Sequence, residues 1–370
     1  MAVRVTKPAF NVREKLTELD LPKGNHGTQV LKSNTLKETS ELVGSGRRNL
    51  LINGGFDIWQ RGTTFTTPSA PYYAADRWNI YRASSSLTTT TRQSFTLGQQ
   101  QVPGNPKYFM RVDNTPDADG TWIEIVQNIE DVTQFSDKWV TLSFWMRASK
   151  PQENNEDYWG FYYNFGTGGS PSGSMMAGIT PHFDIYTQWS YYEFPVYLPD
   201  IQNKTIGTDG VNTSSMKIHL LRQSAVAADT YYDIANVQLE FGRGATPFEK
   251  RPIEEELSLC QRYYQQIGPA SSSRYILSGG GNGTSRIRGL QQLVPEMRVA
   301  PSVAHNIESE SPTFYAYDGS PPSYTSVNSL ESTTKNFHWD FNTGTHNQQG
   351  SHFDVKGSGA FITINADYAW

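Results

Sequence analysis

Trp139-Val-Thr-Leu-Ser-Phe-Trp-Met-Arg147 decides the fold class. Val140, Leu142, Phe144 and Met146 fall at every second position, and Thr141, Ser143, Trp145 and Arg147 alternate with them. A period of two puts the first set on one face of a β-strand and the second set on the other, which predicts a strand with one buried face. Met216, Ile218 and Leu220 repeat the pattern downstream, and further alternating stretches run over 76–82, 86–96, 108–113, 122–129, 159–165, 189–198 and 231–240. Their connections are rich in Gly, Pro, Asn and Asp, with no helical stretch between them. This predicts an antiparallel jelly-roll β-sandwich over 49–250 and weighs against a parallel α/β fold.

Composition agrees with a mainly β chain. Aromatic residues make up 13% of the 370 positions, charged residues only 18%, and there are 31 glycines and 20 prolines. That aromatic content argues against disorder, and the turn-forming residues suit many short strands. The net charge of −5 offers no bulk attraction for nucleic acid or anionic lipid. Cys260 is the single cysteine, so neither an intrachain disulfide nor a cysteine-based zinc site can be assembled within the chain. Arg4, Lys7, Arg13, Glu14 and Lys15 interrupt the first residues, and no window approaches about eighteen consecutive apolar positions. The expectation is a soluble chain made in a cytoplasm, with neither signal peptide nor membrane insertion.

Three zones are expected around the sandwich. In residues 1–48, Val12, Leu16 and Leu19 share one helical face behind Asn11 as N-cap and Glu14 in capping-box position, and Pro22 and Gly24 stop the helix. With no Trp or Tyr this zone cannot build a core, so it reads as a segment that docks elsewhere through those three side chains. A connecting helix is expected within 251–269, with Glu254, Glu255 and Glu256 in its first turn and Ile253, Leu257, Cys260 and Tyr264 along one face. Short alternating runs at 287–293, 313–317, 336–341 and 360–366 predict a smaller C-terminal β-domain over 270–370. Internal repeats of fixed period are absent, which weighs against a β-helix.

Few positions carry a chemical signature. The seven histidines show no metal-ligand spacing, and Gly279-Gly-Gly-Asn-Gly-Thr-Ser lacks the lysine of a phosphate loop and reads as a turn. Asp113, Asp117 and Asp119 crowd one loop with Asn114 and Gly120, a set of hard oxygens that suits calcium and equally suits an Asx-rich turn. No other cofactor is expected. Glu124 with Glu130, or Glu153, Glu156 and Asp157, supply carboxylates for glycoside hydrolysis, but nothing in their context marks an acid and base pair, so no catalytic residue is assigned. The aromatic doublets Tyr72-Tyr73, Tyr158-Trp159, Tyr162-Tyr163, Tyr191-Tyr192 and Tyr231-Tyr232 are more telling, because neighbours in a strand face opposite ways and one of each must leave the core. Such rings stack on sugars or pack against another subunit. Trp159, Tyr162 and Tyr163, between an acidic loop and a Gly-rich loop, are the glycan-binding candidates.

Arg47-Arg-Asn-Leu-Leu-Ile-Asn-Gly-Gly-Phe-Asp-Ile-Trp-Gln-Arg-Gly-Thr63, followed by Ala75-Asp-Arg-Trp78, resembles the opening of a β-sandwich module of bacteriophage tail fibres and related virion proteins. Val237-Gln-Leu-Glu-Phe-Gly-Arg-Gly-Ala-Thr-Pro-Phe-Glu-Lys-Arg-Pro252, running into Glu255-Glu-Leu-Ser-Leu-Cys-Gln-Arg-Tyr-Tyr264, resembles its close. Together they bracket more than half the chain, and Val294-Pro-Glu-Met-Arg-Val-Ala-Pro-Ser302 is similar, over a shorter match, to the start of a terminal fibre domain. The resemblance implies a galactose-binding-like jelly roll in a homotrimeric fibre of the phage particle. Residues 1–48 would attach it to other tail or connector proteins and the β-domains would meet a host surface glycan. Asp76 and Arg77 would form a buried ion pair beside Trp78. The alternatives are a structural fibre or adaptor without a receptor, and a polysaccharide depolymerase.

Overall fold

The computed structural model describes residues 47–67, 71–82, 88–114, 123–152, 158–221, 230–268, 275–281, 285–306, 313–316, 324–343, 352–356 and 361–367. The stretch 139–147 lies within an 11-residue strand, β7 (Lys138–Ala148), with Val140, Leu142, Phe144 and Met146 fully buried as the alternation requires. Eleven more strands build the sandwich with it: β1 (Thr64–Thr67), β2 (Tyr72–Tyr73), β3 (Asn79–Arg82), β4 (Thr88–Ser94), β5 (Tyr108–Asn114), β6 (Ile123–Glu130), β8 (Tyr158–Asn164), β9 (Met175–Ile179), β10 (Ser190–Leu198), β11 (Ser215–Leu221) and β12 (Thr230–Phe241). The first sheet has the order β1-β4-β5-β12-β7-β10 and the second β2-β3-β6-β11-β8-β9, all pairings antiparallel. The chain crosses repeatedly from one sheet to the other, and the inner faces meet on a core that includes Phe56, Trp78, Phe144, Trp159 and Phe161.

The opening and closing motifs meet. Leu50 N donates to Leu239 O at 2.8 Å and Val237 N to Gly54 O at 2.9 Å, so 50–54 runs beside β12. Asn49 Oδ1 accepts from Leu51 N and Leu239 N, and Asn53 Nδ2 donates to Ile58 O and Asp76 O. Trp78 Nε1 donates to Asn53 O, which ties the motifs to the core aromatic. Gly54 is required here because a Cβ would lie 2.0 Å from Val237 O.

The connecting helix α1 (Ile253–Gln261) carries Glu254, Glu255 and Glu256 in its first turn as expected, but it is shorter than its apolar periodicity suggests. Tyr264 does not continue it. It opens β13 (Tyr264–Ile267), which pairs with β21 (Ile362–Asn365), while Ala366 N donates to Tyr263 O at 2.7 Å. Strand pairing with the distal end of the chain overrides a local helical preference. Between them lie β14 (Tyr275–Gly281), β15 (Arg286–Gln292), β16 (Ser302–His305), β17 (Thr313–Ala316), β18 (Tyr324–Ser332), β19 (Asn336–Thr343) and β20 (His352–Lys356). They form a three-stranded sheet, β13-β21-β16, and a six-stranded one, β17-β20-β14-β15-β19-β18, over a second core around Phe337, Trp339 and Phe341. Gly279 to Gly281 are strand rather than turn. A Cβ at Gly279 would sit 2.6 Å from the Trp339 ring, so the glycine makes room for the indole.

Asp76, Arg77 and Trp78 are all buried, but Asp76 and Arg77 do not pair with each other. Arg77 instead reaches Asp367 Oδ1 at 2.6 Å, donates to Asn128 O and lies 3.4 Å over the Tyr263 ring, while Asp76 accepts from Gln60 N and lies 4.0 Å from Arg61. A positive φ of 73° at Arg77 turns its side chain away from the neighbouring carboxylate and toward the C-terminal strands.

Candidate functional site

The outer face of the first sheet holds a cleft of about 500 Å³. Its floor follows from strand register. β10 pairs with β7 so that Tyr191 lies opposite Trp145 and Glu193 opposite Ser143. The Trp145 and Tyr191 rings stand 5.5 Å apart at 47°, and Tyr191 keeps 45% of its surface exposed. Where β12 crosses this floor its register slips between Ala235 and Gln238, a bulge that puts Asn236 at a φ of 50° on the cleft wall.

The rim is made by both sequence motifs. Gly55 and Asp57 come from the opening, and Ala245, Thr246, Pro247, Phe248 and Lys250 from the close. The closing segment is fastened over the sheet by polar residues of β12 and β10. Glu240 Oε2 accepts from Thr246 N at 2.9 Å, Gln238 Oε1 from Glu249 N at 2.7 Å, and Glu193 Oε1 from Ala245 N at 2.9 Å. Thr141 Oγ1 donates to Gly242 O, and Thr141 and Ser143 are buried although they lie on the outer face. Pro103, Gly104, Pro106 and Lys107 close the other side.

Four charged groups line the cleft: Asp57, Glu193, Lys107 and Lys250. Burial pushes the Asp57 carboxyl above its ordinary range, against the pull of Lys250, Lys107 and Arg92. Burial likewise raises the Tyr191 hydroxyl, which stays protonated. Two aromatic rings below polar groups on a wall can hold the flat apolar face of a ring while bonding its substituents, in a volume typical of small-ligand sites.

The residues expected to bind glycan lie elsewhere, and two of them correct the expectation. Trp159 and Tyr163 are fully buried, because β8 turns its odd-numbered residues inward between β11 and β9. Trp159 packs 5.3 Å from Phe144, and Tyr163 Oη donates to Phe135 O and Pro199 O. Both are core side chains and cannot meet a ligand. Tyr162 alone faces out, half-buried on the second sheet and 4.8 Å from His219, on the opposite side of the sandwich from the cleft. Asp113 is the next-to-last residue of β5, while Asp117 and Asp119 lie outside the described residues, as do Val12, Leu16 and Leu19. Among the described residues no cluster of His, Cys, Asp or Glu is arranged to hold a metal ion, and no helix is long and apolar enough to cross a membrane.

Sequence reasoning had put Trp145 on the outer face and one ring of Tyr191-Tyr192 outside the core, and both placements hold. What it lacked was the register that sets the two rings side by side. Asp57 carried no signal of its own, since its proximity to Lys107 and Lys250 arises only in the fold.

No family model matches the chain, and no curated protein matches it. Among solved structures it is similar to the enzymatically active domain of bacteriophage CBA120 tailspike protein 4, at 13% identity over 52% of this chain and 21% of that one, with a TM-score of 0.31. The chain thus spans about a fifth of that tailspike domain. It is also similar to the CBM22-1 xylan-binding domain of Paenibacillus barcinonensis Xyn10C, at 10% identity over 54% of this chain and 100% of that one, with a TM-score of 0.29. A cyclase from Fischerella sp. TAU in complex with 4-(1H-indol-3-yl)butan-2-one shows 10% identity over 54% of this chain and 100% of that one, with a TM-score of 0.34.

Proposed function

We propose that this chain is a phage fibre protein whose β-sandwich recognises a saccharide of the host surface through the cleft on its first sheet. The observation that carries the reading is the cross-strand pair Trp145 and Tyr191, solvent-accessible rings held rigidly by β7 and β10 below a polar rim. Exposed aromatic side chains are costly to leave bare and are well suited to the apolar faces of sugars. The fibre part rests on the resemblance of 47–63 and 237–264 to fibre modules, with 1–48 as the attachment segment and a trimer as the assembly. Several copies on one particle would turn weak single-site binding into firm adhesion.

Titration of the full chain with oligosaccharides released from host surfaces tests this. Trp145→Ala and Tyr191→Ala should each weaken binding by about 1.4–2.8 kcal/mol, roughly ten-fold to a hundred-fold, with the melting temperature nearly unchanged. Unaltered affinity in both variants would overturn the assignment. Asp57 and Glu193 in one cleft also admit a depolymerase, and release of reducing ends, abolished by Glu193→Gln, would favour it.

A further inference from the structure

The charges around the cleft go further than its shape. Resting on the saccharide reading above, we infer that the cleft selects an uncharged saccharide and that Asp57 is the residue that imposes this choice. Among the described residues no hydrogen bond or ion pair reaches the Asp57 carboxylate, although the side chain is half-buried. A half-buried carboxylate that opens on the cleft with its acceptor sites free of protein donors is placed to take hydrogen bonds from a ligand. Sugar hydroxyls are such donors, and two adjacent ones match the two oxygens of a carboxylate.

The other charged groups agree. Lys250, Lys107 and Arg92 all act on Asp57, and the two lysines, exposed on the cleft, have their charge opposed there. Glu193 Oε1 is engaged by Ala245 N, and its negative charge faces the same space. Two carboxylates and two amines sum to zero along the wall. A uronate, sialic acid or sulfated sugar stacked on Trp145 and Tyr191 would bring a further anion beside Asp57, where partial burial weakens the screening that water would give. Gly55 leaves room for the carboxylate. A Cβ there would lie 3.1 Å from Asp57 Oδ2 and 3.5 Å from the Phe248 ring.

The test is binding of the full chain to an array of uncharged, uronate-bearing, sialylated and sulfated oligosaccharides, with Asp57→Asn and Trp145→Ala beside it. The expected result is at least a ten-fold preference of the native chain for uncharged glycans. In Asp57→Asn that preference should shrink by ten-fold or more, with the melting temperature unchanged. Equal binding of charged and uncharged glycans by the native chain, lost in Trp145→Ala, would overturn the role of Asp57 and leave the cleft as the saccharide site. Binding to no glycan, or binding indifferent to Trp145→Ala, would overturn the saccharide reading itself. If Asp57→Asn fails to fold, competition on the native chain between an uncharged oligosaccharide and its uronate counterpart decides the matter alone.

Discussion

Gly54 and Gly55 are adjacent in the sequence and serve different ends. A methyl group on Gly54 would collide with Val237 O, which is fixed in β12, so Gly54→Ala should cost more than about 3 kcal/mol in a denaturant titration. On Gly55 the same methyl meets the movable Asp57 carboxylate and the Phe248 ring, so Gly55→Ala should leave stability within about 1 kcal/mol and lower saccharide affinity several-fold. Asp57 also sets a pH dependence. Burial raises its pKa, with Lys250, Lys107 and Arg92 opposing, and only the ionised form accepts two hydroxyl donors. Affinity should therefore hold at neutral pH and fall as the pH drops through a pKa above the usual carboxylate value of about 3.9. Glu193 faces the same cleft, so the control is Asp57→Asn, in which most of the decline should vanish.

At the scale of elements, alternation was the legible part. Nine sandwich strands lie close to where period two puts them, because burial of one face is a property of the sequence itself. β1, β2 and β9 escaped notice. The first two are four and two residues long, and β9 is Met-Met-Ala-Gly-Ile, with no alternation to read. Aromatic doublets told that one ring of Tyr162-Tyr163 and of Tyr191-Tyr192 faces out, but not which doublet borders a cleft. That depends on the register of β7 with β10 and on the polar residues of β12 that hold 245–249 across the sheet. The strand register joins residues about fifty positions apart, and the closing segment is held by single polar side chains, so the alternation of apolar positions encodes neither.

Across the whole molecule the sandwich and the C-terminal strands are joined by charge. Asp367, next to the end of β21, accepts from Arg77 and Arg61, whose guanidiniums lie over Tyr263 and Tyr264 at 3.4 Å and 3.6 Å. All three charged side chains are largely buried. Asp367→Ala would leave two cations without their shared partner and should destabilise the chain by about 3–5 kcal/mol, read as a shift of the denaturant midpoint. None of this was legible beforehand, since the expected partner of Arg77 was its neighbour Asp76 and the true one lies near the other end of the chain.

One titration bears most directly on the account: the affinity of the full chain for host-surface oligosaccharide in Trp145→Ala and in Tyr162→Ala. The two rings lie on opposite outer faces of the sandwich. The account predicts a loss of at least about ten-fold in Trp145→Ala and none in Tyr162→Ala. A loss in Tyr162→Ala with Trp145→Ala unaffected would contradict it and move the binding face to the second sheet.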